Sequence, residues 1–149
     1  MLLIESPHNE RFKKLLKLST DNKFRRKSKL FIIEGLKEIR AALEHNYELE
    51  EVYIDDKYKT AFPEKEFDQV SVTILKHDLF SRLVYREDAS YILAVLKEPV
   101  LDLSQIQLPE NPLIIILENI EKPGNLGALL RTCDAVGADA VILSQDHHN

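Results

Sequence analysis

An α/β fold is predicted for this 149-residue chain by three features. Short apolar strands alternate with amphipathic helices, as a largely parallel or mixed sheet requires. Turn residues punctuate the change from one period to the other. A stretch holding three of the six prolines, residues 97–112, then sets a longer first part apart from a single β-α-β unit. The expected division is a first domain over 1–97, a linker over 98–112 and a second unit over 113–149.

The first element follows Ser6, Pro7 and Asn9, which suit a helix start, and Phe12, Leu15, Leu16 and Leu18 recur at helical spacing. Its other face carries Arg11, Lys13, Lys14 and Lys17. DNKFRRKSK (21–29) extends that basic surface, with one aromatic among five cations. LFIIEG (30–35) reads as a strand ending in an acid and a glycine. Leu36, Ile39, Ala42 and Leu43 mark an amphipathic helix that closes near His45 and Asn46. ELEEVYID (48–55), VSVTIL (70–75) and YILAVL (91–96) supply three more strands, with a helix over 77–84 between the last two.

Beyond the linker, LIIILE (113–118) lacks the alternation of a sheet with one wet face, so it predicts a strand buried on both sides. NIEKPGN (119–125) predicts a loop, residues 126–136 a helix and ADAVIL (138–143) a strand. A unit this small rarely buries a core by itself. It is expected to pack on the first domain, on another chain or on residues beyond Asn149. The last is favoured, and the sequence reads as cut short.

Apolar residues make up 44% of the chain, enough for a packed core, and no apolar run approaches the roughly 18 residues of a membrane span. MLLIESPHNERFKK turns polar too soon for a signal peptide. With Cys133 as its one cysteine the chain forms no internal disulfide, which fits a reducing cytoplasm. The net charge of -5 hides an asymmetry: residues 10–40 hold eleven Lys/Arg against four Asp/Glu. Clustered cations attract phosphate backbones through counterion release, whatever the overall charge. A solvated helical face is the commoner explanation of such a run until another feature points to RNA.

That feature is sought in KPGNLGALLRT, where a strand meets a helix. Helix N-termini attract anions, and ligands of α/β sheets sit beyond the carboxyl ends of strands. Asn125 also suits an N-cap. The pattern is neither GxxxxGK[ST] nor GxGxxG, so it supports no nucleoside-triphosphate loop or dinucleotide fingerprint. On a helical wheel Leu126, Leu129, Leu130, Cys133 and Val136 share the face expected to rest on the sheet. Arg131 points the other way, near Gly127, Ala128, Asp134 and Ala135, where small residues leave room for a ligand. Its bland alternative is an exposed arginine paired with Asp134.

Asn125, Gly127, Ala128, Arg131, Thr132, Ala135 and Gly137 match NxGAxxRTxxAxG, and residues 118–137 resemble the opening motif of SpoU/TrmH-family RNA 2'-O-ribose methyltransferases of the SPOUT superfamily. The first half is similar to that family's substrate-binding domain, with a basic lead-in that includes Arg25, then FIIEG (31–35) and a closing YILAV (91–95). The family often carries more glycine where this chain has DASYILAV. The resemblance implies a small ribosomal-protein-like α/β RNA-binding domain, followed by the first β-α-β unit of a SPOUT trefoil-knot, Rossmann-like domain with the knot region absent.

It further implies methyl transfer from S-adenosylmethionine to a ribose 2'-OH in rRNA or tRNA, with rRNA preferred, by a cytoplasmic enzyme that dimerises through its complete catalytic domain. Arg131 would sit beside the target ribose, and Asn125 would orient Arg131 or the RNA. A guanidinium stays charged in proteins, so stabilising a developing alkoxide suits it better than acting as a base. Arg11, Lys13, Lys14, Lys17, Lys23, Arg25, Arg26, Lys27 and Lys29 are the candidate RNA contacts. The family's later motifs form the cofactor pocket, so no cofactor-binding residue is assigned here and the 149 residues by themselves are expected to be inactive. The alternative is a non-enzymatic RNA-binding adapter.

Cys133 lies on the predicted sheet face, which suits a small buried residue better than a nucleophile. Asp146, His147 and His148 lack a defined ligand geometry, and no metal site is expected. His8, His45 and His77 read as isolated residues at helix ends, and Glu34 as a capping or hydrogen-bonding group.

Overall fold

A computed structural model describes residues 1–84, 90–100 and 102–144. The chain forms two compact units, 1–100 and 101–149. In the first, the elements run β1 (Leu2–Ile4), α1 (Glu10–Thr20), α2 (Asn22–Ser28), β2 (Leu30–Glu34), α3 (Leu36–Glu44), β3 (Leu49–Asp55), β4 (Ser71–Leu75), α4 (His77–Phe80) and β5 (Ile92–Lys97). Two 3-10 helices, Asp56–Ala61 and Glu64–Phe67, join β3 to β4. The strand order is β1-β4-β3-β5-β2; β1, β4 and β3 are parallel, and β5 runs antiparallel to both β3 and β2. The sheet is therefore mixed.

Successive strand residues face opposite ways, and here both faces are covered. Tyr53, Leu75, Leu93 and Val95 pack with Phe12, Leu15 and Leu18 of α1 and with Leu79 and Phe80 of α4. Val52, Ile54, Ile74, Ile92, Ala94 and Leu96 pack with Ile39 of α3 and with Phe62 and Phe67 of the connecting segment. Five consecutive residues of β5, Ile92 to Leu96, are buried as a result. Their unbroken apolar run is that of a central strand.

Local chemistry sets the ends of the helices. Asn9 caps α1 by accepting from the Arg11 N–H at 2.9 Å. Asp21 closes α1 and caps α2, its Oδ1 accepting from Lys23 N at 2.8 Å and Phe24 N at 3.0 Å. Lys29, at φ 55°, ends α2 in the left-handed region. The basic lead-in that includes Arg25 is helical, as the family resemblance implies, although its seven residues show no apolar period of their own. Sequence reading passes over β1, whose three residues join the edge beside β4. The helix expected over 77–84 is shorter: α4 ends at Phe80.

In the second unit, β6 (Ile114–Glu118) and β7 (Ala140–Ser144) pair in parallel around α5 (Pro123–Ala135), after a 3-10 turn at Leu103–Gln105. Asp139 fixes the start of the ladder, its Oδ2 accepting from Leu113 N at 2.8 Å while its own N–H donates to Leu113 O at 2.9 Å. Two expectations need correction. The strand predicted to be buried on both sides is not, since Leu117 is buried but Ile116 is 65% exposed. The helix face assigned to the sheet is only partly covered: Cys133 is 3% exposed, whereas Leu129, Leu130 and Val136 are 36, 41 and 56% exposed. Two strands are too narrow to cover a whole helix face, and one helix covers one side of them.

Gly35 joins β2 to α3 at φ 102°, and an added Cβ would overlap Glu38 Oε2. The carboxylate ends a flexible side chain and can move, whereas the positive φ cannot be relieved locally. Gly35→Ala should therefore cost about 1–3 kcal/mol, and adding Glu38→Ala should recover little of it. Urea unfolding of both variants measures this, and full recovery in the double variant would assign the cost to the overlap.

Candidate RNA-binding surface and catalytic motif

The nine cations proposed for RNA contact fall into two groups. Arg11 reaches across to β3, where Nη1 lies 3.2 Å from Glu51 Oε1. The other carboxylate oxygen of Glu51 accepts from the Tyr53 hydroxyl at 2.6 Å. Burial, and then the adjoining Glu51 carboxylate, push the Tyr53 phenol far above its ordinary value, so it remains a donor. Arg11 thus ties α1 to the sheet. Lys13 pairs with Glu10 at 2.6 Å and Lys29 with Glu98 at 3.1 Å. Arg25 Nη1 donates to the carbonyls of Leu18 and Ser19, at 2.7 and 3.1 Å, and Nη2 donates to Asn22. These carbonyls close α1, so Arg25 holds the α1–α2 corner.

Lys14, Lys23, Arg26 and Lys27 are exposed and form no ion pair among the described residues. Lys17 sets its ammonium 5.9 Å from the centre of the Phe24 ring. The basic surface therefore combines cations that hold the fold with cations that face solvent, a distinction that spacing alone does not carry.

At the carboxyl end of β6, the expected loop over 119–125 is shorter than predicted. Lys122 is the N-cap of α5, Pro123 occupies its first turn, and Asn125 already lies inside the helix, its N–H donating to Lys122 O at 3.0 Å. Asn125 is not the cap, because proline at the first helical position needs no amide partner and starts the helix earlier. Arg131 is exposed and lies back along α5: a Cβ at Gly127 would stand 3.8 Å from its Nη1. Gly127 leaves that approach open, as the small residues suggest. Asp134 forms no ion pair with Arg131, and no hydrogen bond joins Asn125 to Arg131, among the described residues. Six residues of helix set these two side chains about 120° apart.

His77 is not isolated. Its Nδ1 lies 2.7 Å from Oδ2 of the buried Asp55, and its backbone N–H donates to Asp56 Oδ1 at 2.9 Å. Lys76 pairs with Asp56 at 3.1 Å. Partial burial opposes ionisation of Asp56, but Lys76 and the His77 N–H outweigh it and hold the carboxyl below its ordinary value. Acids at the end of β3 and a helix start after β4 could have suggested this clamp. Their pairing depends on the parallel register. Cys133 is buried, as its place on the helix predicts. Asp146, His147 and His148 lie outside the described residues, and among those described no group of three or more His, Cys, Asp or Glu could hold a metal ion. No helix among them is long and apolar enough to cross a membrane.

Fold and motif together define an α/β protein of two compact units, the second opening with a strand, a turn and the helix that carries Asn125 and Arg131. The chain belongs to the SpoU methyltransferase family: residues 9–94 match the MRM3-like substrate binding domain and residues 112–149 the SpoU rRNA Methylase family. It is 32% identical over 143 residues to the 23S rRNA (guanosine(2553)-2'-O)-methyltransferase RlmP of Bacillus subtilis, covering 96% of this chain and 54% of that protein. It superposes on a crystal structure of an RNA 2'-O ribose methyltransferase with a TM-score of 0.76 at 31% identity, over 95% of this chain and 55% of the other. The SpoU methyltransferase AviRb of Streptomyces viridochromogenes, solved with AdoMet, gives a TM-score of 0.80 at 25% identity, over 93% and 55% of the two chains. The chain spans about half the length of these relatives.

Because Arg25 bonds two carbonyls that end α1, Arg25→Ala should lower stability by about 1.5–3 kcal/mol. Arg25→Lys should restore only part of this, since an ammonium lacks the planar fork. Equilibrium unfolding in urea measures both, and an unchanged midpoint in the alanine variant would remove Arg25 from the corner.

Proposed function

We propose that the complete protein methylates a ribose 2'-OH of ribosomal RNA, using S-adenosylmethionine. The observation that carries this reading is α5: it follows the carboxyl end of β6, bears the motif residues from Asn125 to Ala135, and leaves Arg131 exposed over Gly127. There the guanidinium is available to the ribose or its phosphate, and would stabilise the alkoxide as the hydroxyl loses its proton. Asn125, in the first turn of the same helix, would contact the RNA rather than orient Arg131. Ribosomal RNA is preferred to tRNA because the RlmP relative is named for 23S rRNA.

Lys14, Lys23, Arg26 and Lys27, with Lys17, would supply the RNA-facing charge. Arg11 and Arg25 would act by holding the helices that carry it. Residues 98–112 are proposed as the linker, and the complete enzyme as a cytoplasmic homodimer. The cofactor is proposed from AdoMet-bound AviRb. Lys122 and Asn125 are exposed, and an added Cβ at Gly124 meets nothing within 4 Å, so this turn is open surface rather than a pocket wall. No cofactor contact is assigned to residues 102–144, and no step is routed through one.

Mass spectrometry of RNA treated with the complete enzyme should place the new methyl on a ribose. Arg131→Ala should then slow single-turnover methylation about a hundredfold, the loss of roughly 2.7 kcal/mol of transition-state stabilisation, with RNA affinity nearly unchanged. A methyl found on a base, or a near-normal rate in Arg131→Ala, would refute this assignment. Reversing the charges of Lys23, Arg26 and Lys27 should weaken RNA binding and flatten its dependence on salt, since fewer counterions are released. An unchanged salt slope would leave these residues a solvated face.

A further inference from the structure

We propose that the groove between α1 and α2 is a subsite for one unpaired nucleotide of a single-stranded RNA segment, an inference that rests on RNA binding by these helices. The groove has a volume of about 300 Å³ and is lined by Glu10, Lys13, Lys14, Leu16, Lys17 and Phe24. Leu16 and Phe24 are half-buried and pack against the core beneath α1. That anchoring makes them a fixed apolar floor. Three lysines stand around the floor, and the ammonium of one of them, Lys17, lies over the Phe24 ring.

Several ligand classes fit one of these features, and an unpaired nucleotide fits them together. A duplex keeps its bases stacked inside and presents phosphates, which need cations but no aromatic floor. Recognition of a single strand combines a cationic track for the backbone with an aromatic face for a base. Phe24 offers such a face. The Lys17 contact that partly covers it is a weak exposed cation-π pair, so its ammonium can leave the ring for a phosphate as the base enters.

Glu10 sets the orientation. It is the one acidic residue in the lining, and Lys13 beside it holds its carboxyl below the ordinary value. A carboxylate repels phosphate and accepts from N–H groups. The base edge therefore lies towards Glu10, and the phosphate towards Lys14 and Lys17. Nothing in the sequence alone marks this site. Phe24 stands among cations in the chain, and the corner held by Asp21 and Arg25 brings it into one groove with Leu16.

The test measures binding of the 149-residue chain to a short labelled RNA of mixed sequence, single-stranded or annealed to its complement, over a range of salt. Phe24→Leu keeps an apolar floor and removes the π face. It should weaken single-strand binding about tenfold, leave duplex binding unchanged, and leave the salt slope unchanged because no cation is lost. Phe24→Tyr should bind the single strand as the parent does. Single-strand affinity unaltered in Phe24→Leu, or tighter binding of the duplex by the parent chain, would overturn the subsite while leaving salt-dependent RNA binding in place. Absence of salt-dependent binding to either RNA would instead overturn the parent reading, and the subsite with it. Should Phe24→Leu unfold, ultraviolet cross-linking of the unaltered chain decides. A cross-link at Phe24 supports the subsite, and cross-links found only at other residues refute it.

Discussion

Burial of β5 on both faces is the constraint on which the first unit depends. Ile92, Ala94 and Leu96 point to one side, Leu93 and Val95 to the other. Neither side can meet water without losing the burial of several large side chains, each worth about 1.5–3 kcal/mol. Helices must therefore cover both faces. α1 and α4 lie on one, and α3 with the segment around Phe62 and Phe67 on the other. The same demand places β5 between β3 and β2, where its backbone groups are paired on both edges.

The charge on α1 follows from that packing. Phe12, Leu15 and Leu18 turn towards the sheet, so the lysines between them must turn outward. Of the cations on α1 and α2, Arg11 and Arg25 return to the protein. Arg11 reaches Glu51 on a strand, and Arg25 reaches the end of the helix before its own. The cations that face solvent are consequently held on a fixed frame, which lowers the ordering cost of binding a flexible polyanion.

The second unit shows the same principle with less material. One helix on two strands covers Leu117 and Cys133 and leaves Ile116, Leu129, Leu130 and Val136 substantially exposed. Its order rests on the β6–β7 ladder and on Asp139 at the start of it. Arg131 nonetheless emerges where the helix period predicts, because an arginine four residues beyond a glycine on an α-helix lies over it whatever surrounds the helix.

The sequence by itself determined the strands from β2 onward, the helices α1, α3 and α5, the basic surface and the motif around Arg131. Each is encoded locally, in apolar period or in residue spacing. The tertiary structure decided the mixed order of the sheet, the place of β1 at its edge, and the pairing of Asp55 with His77 across 22 residues. It also divided the cations into those that brace and those that face outward. These outcomes depend on which residues distant in sequence are brought together. An arginine reads the same in a sequence whether its partner is a carbonyl of the previous helix, a carboxylate forty residues away, or water.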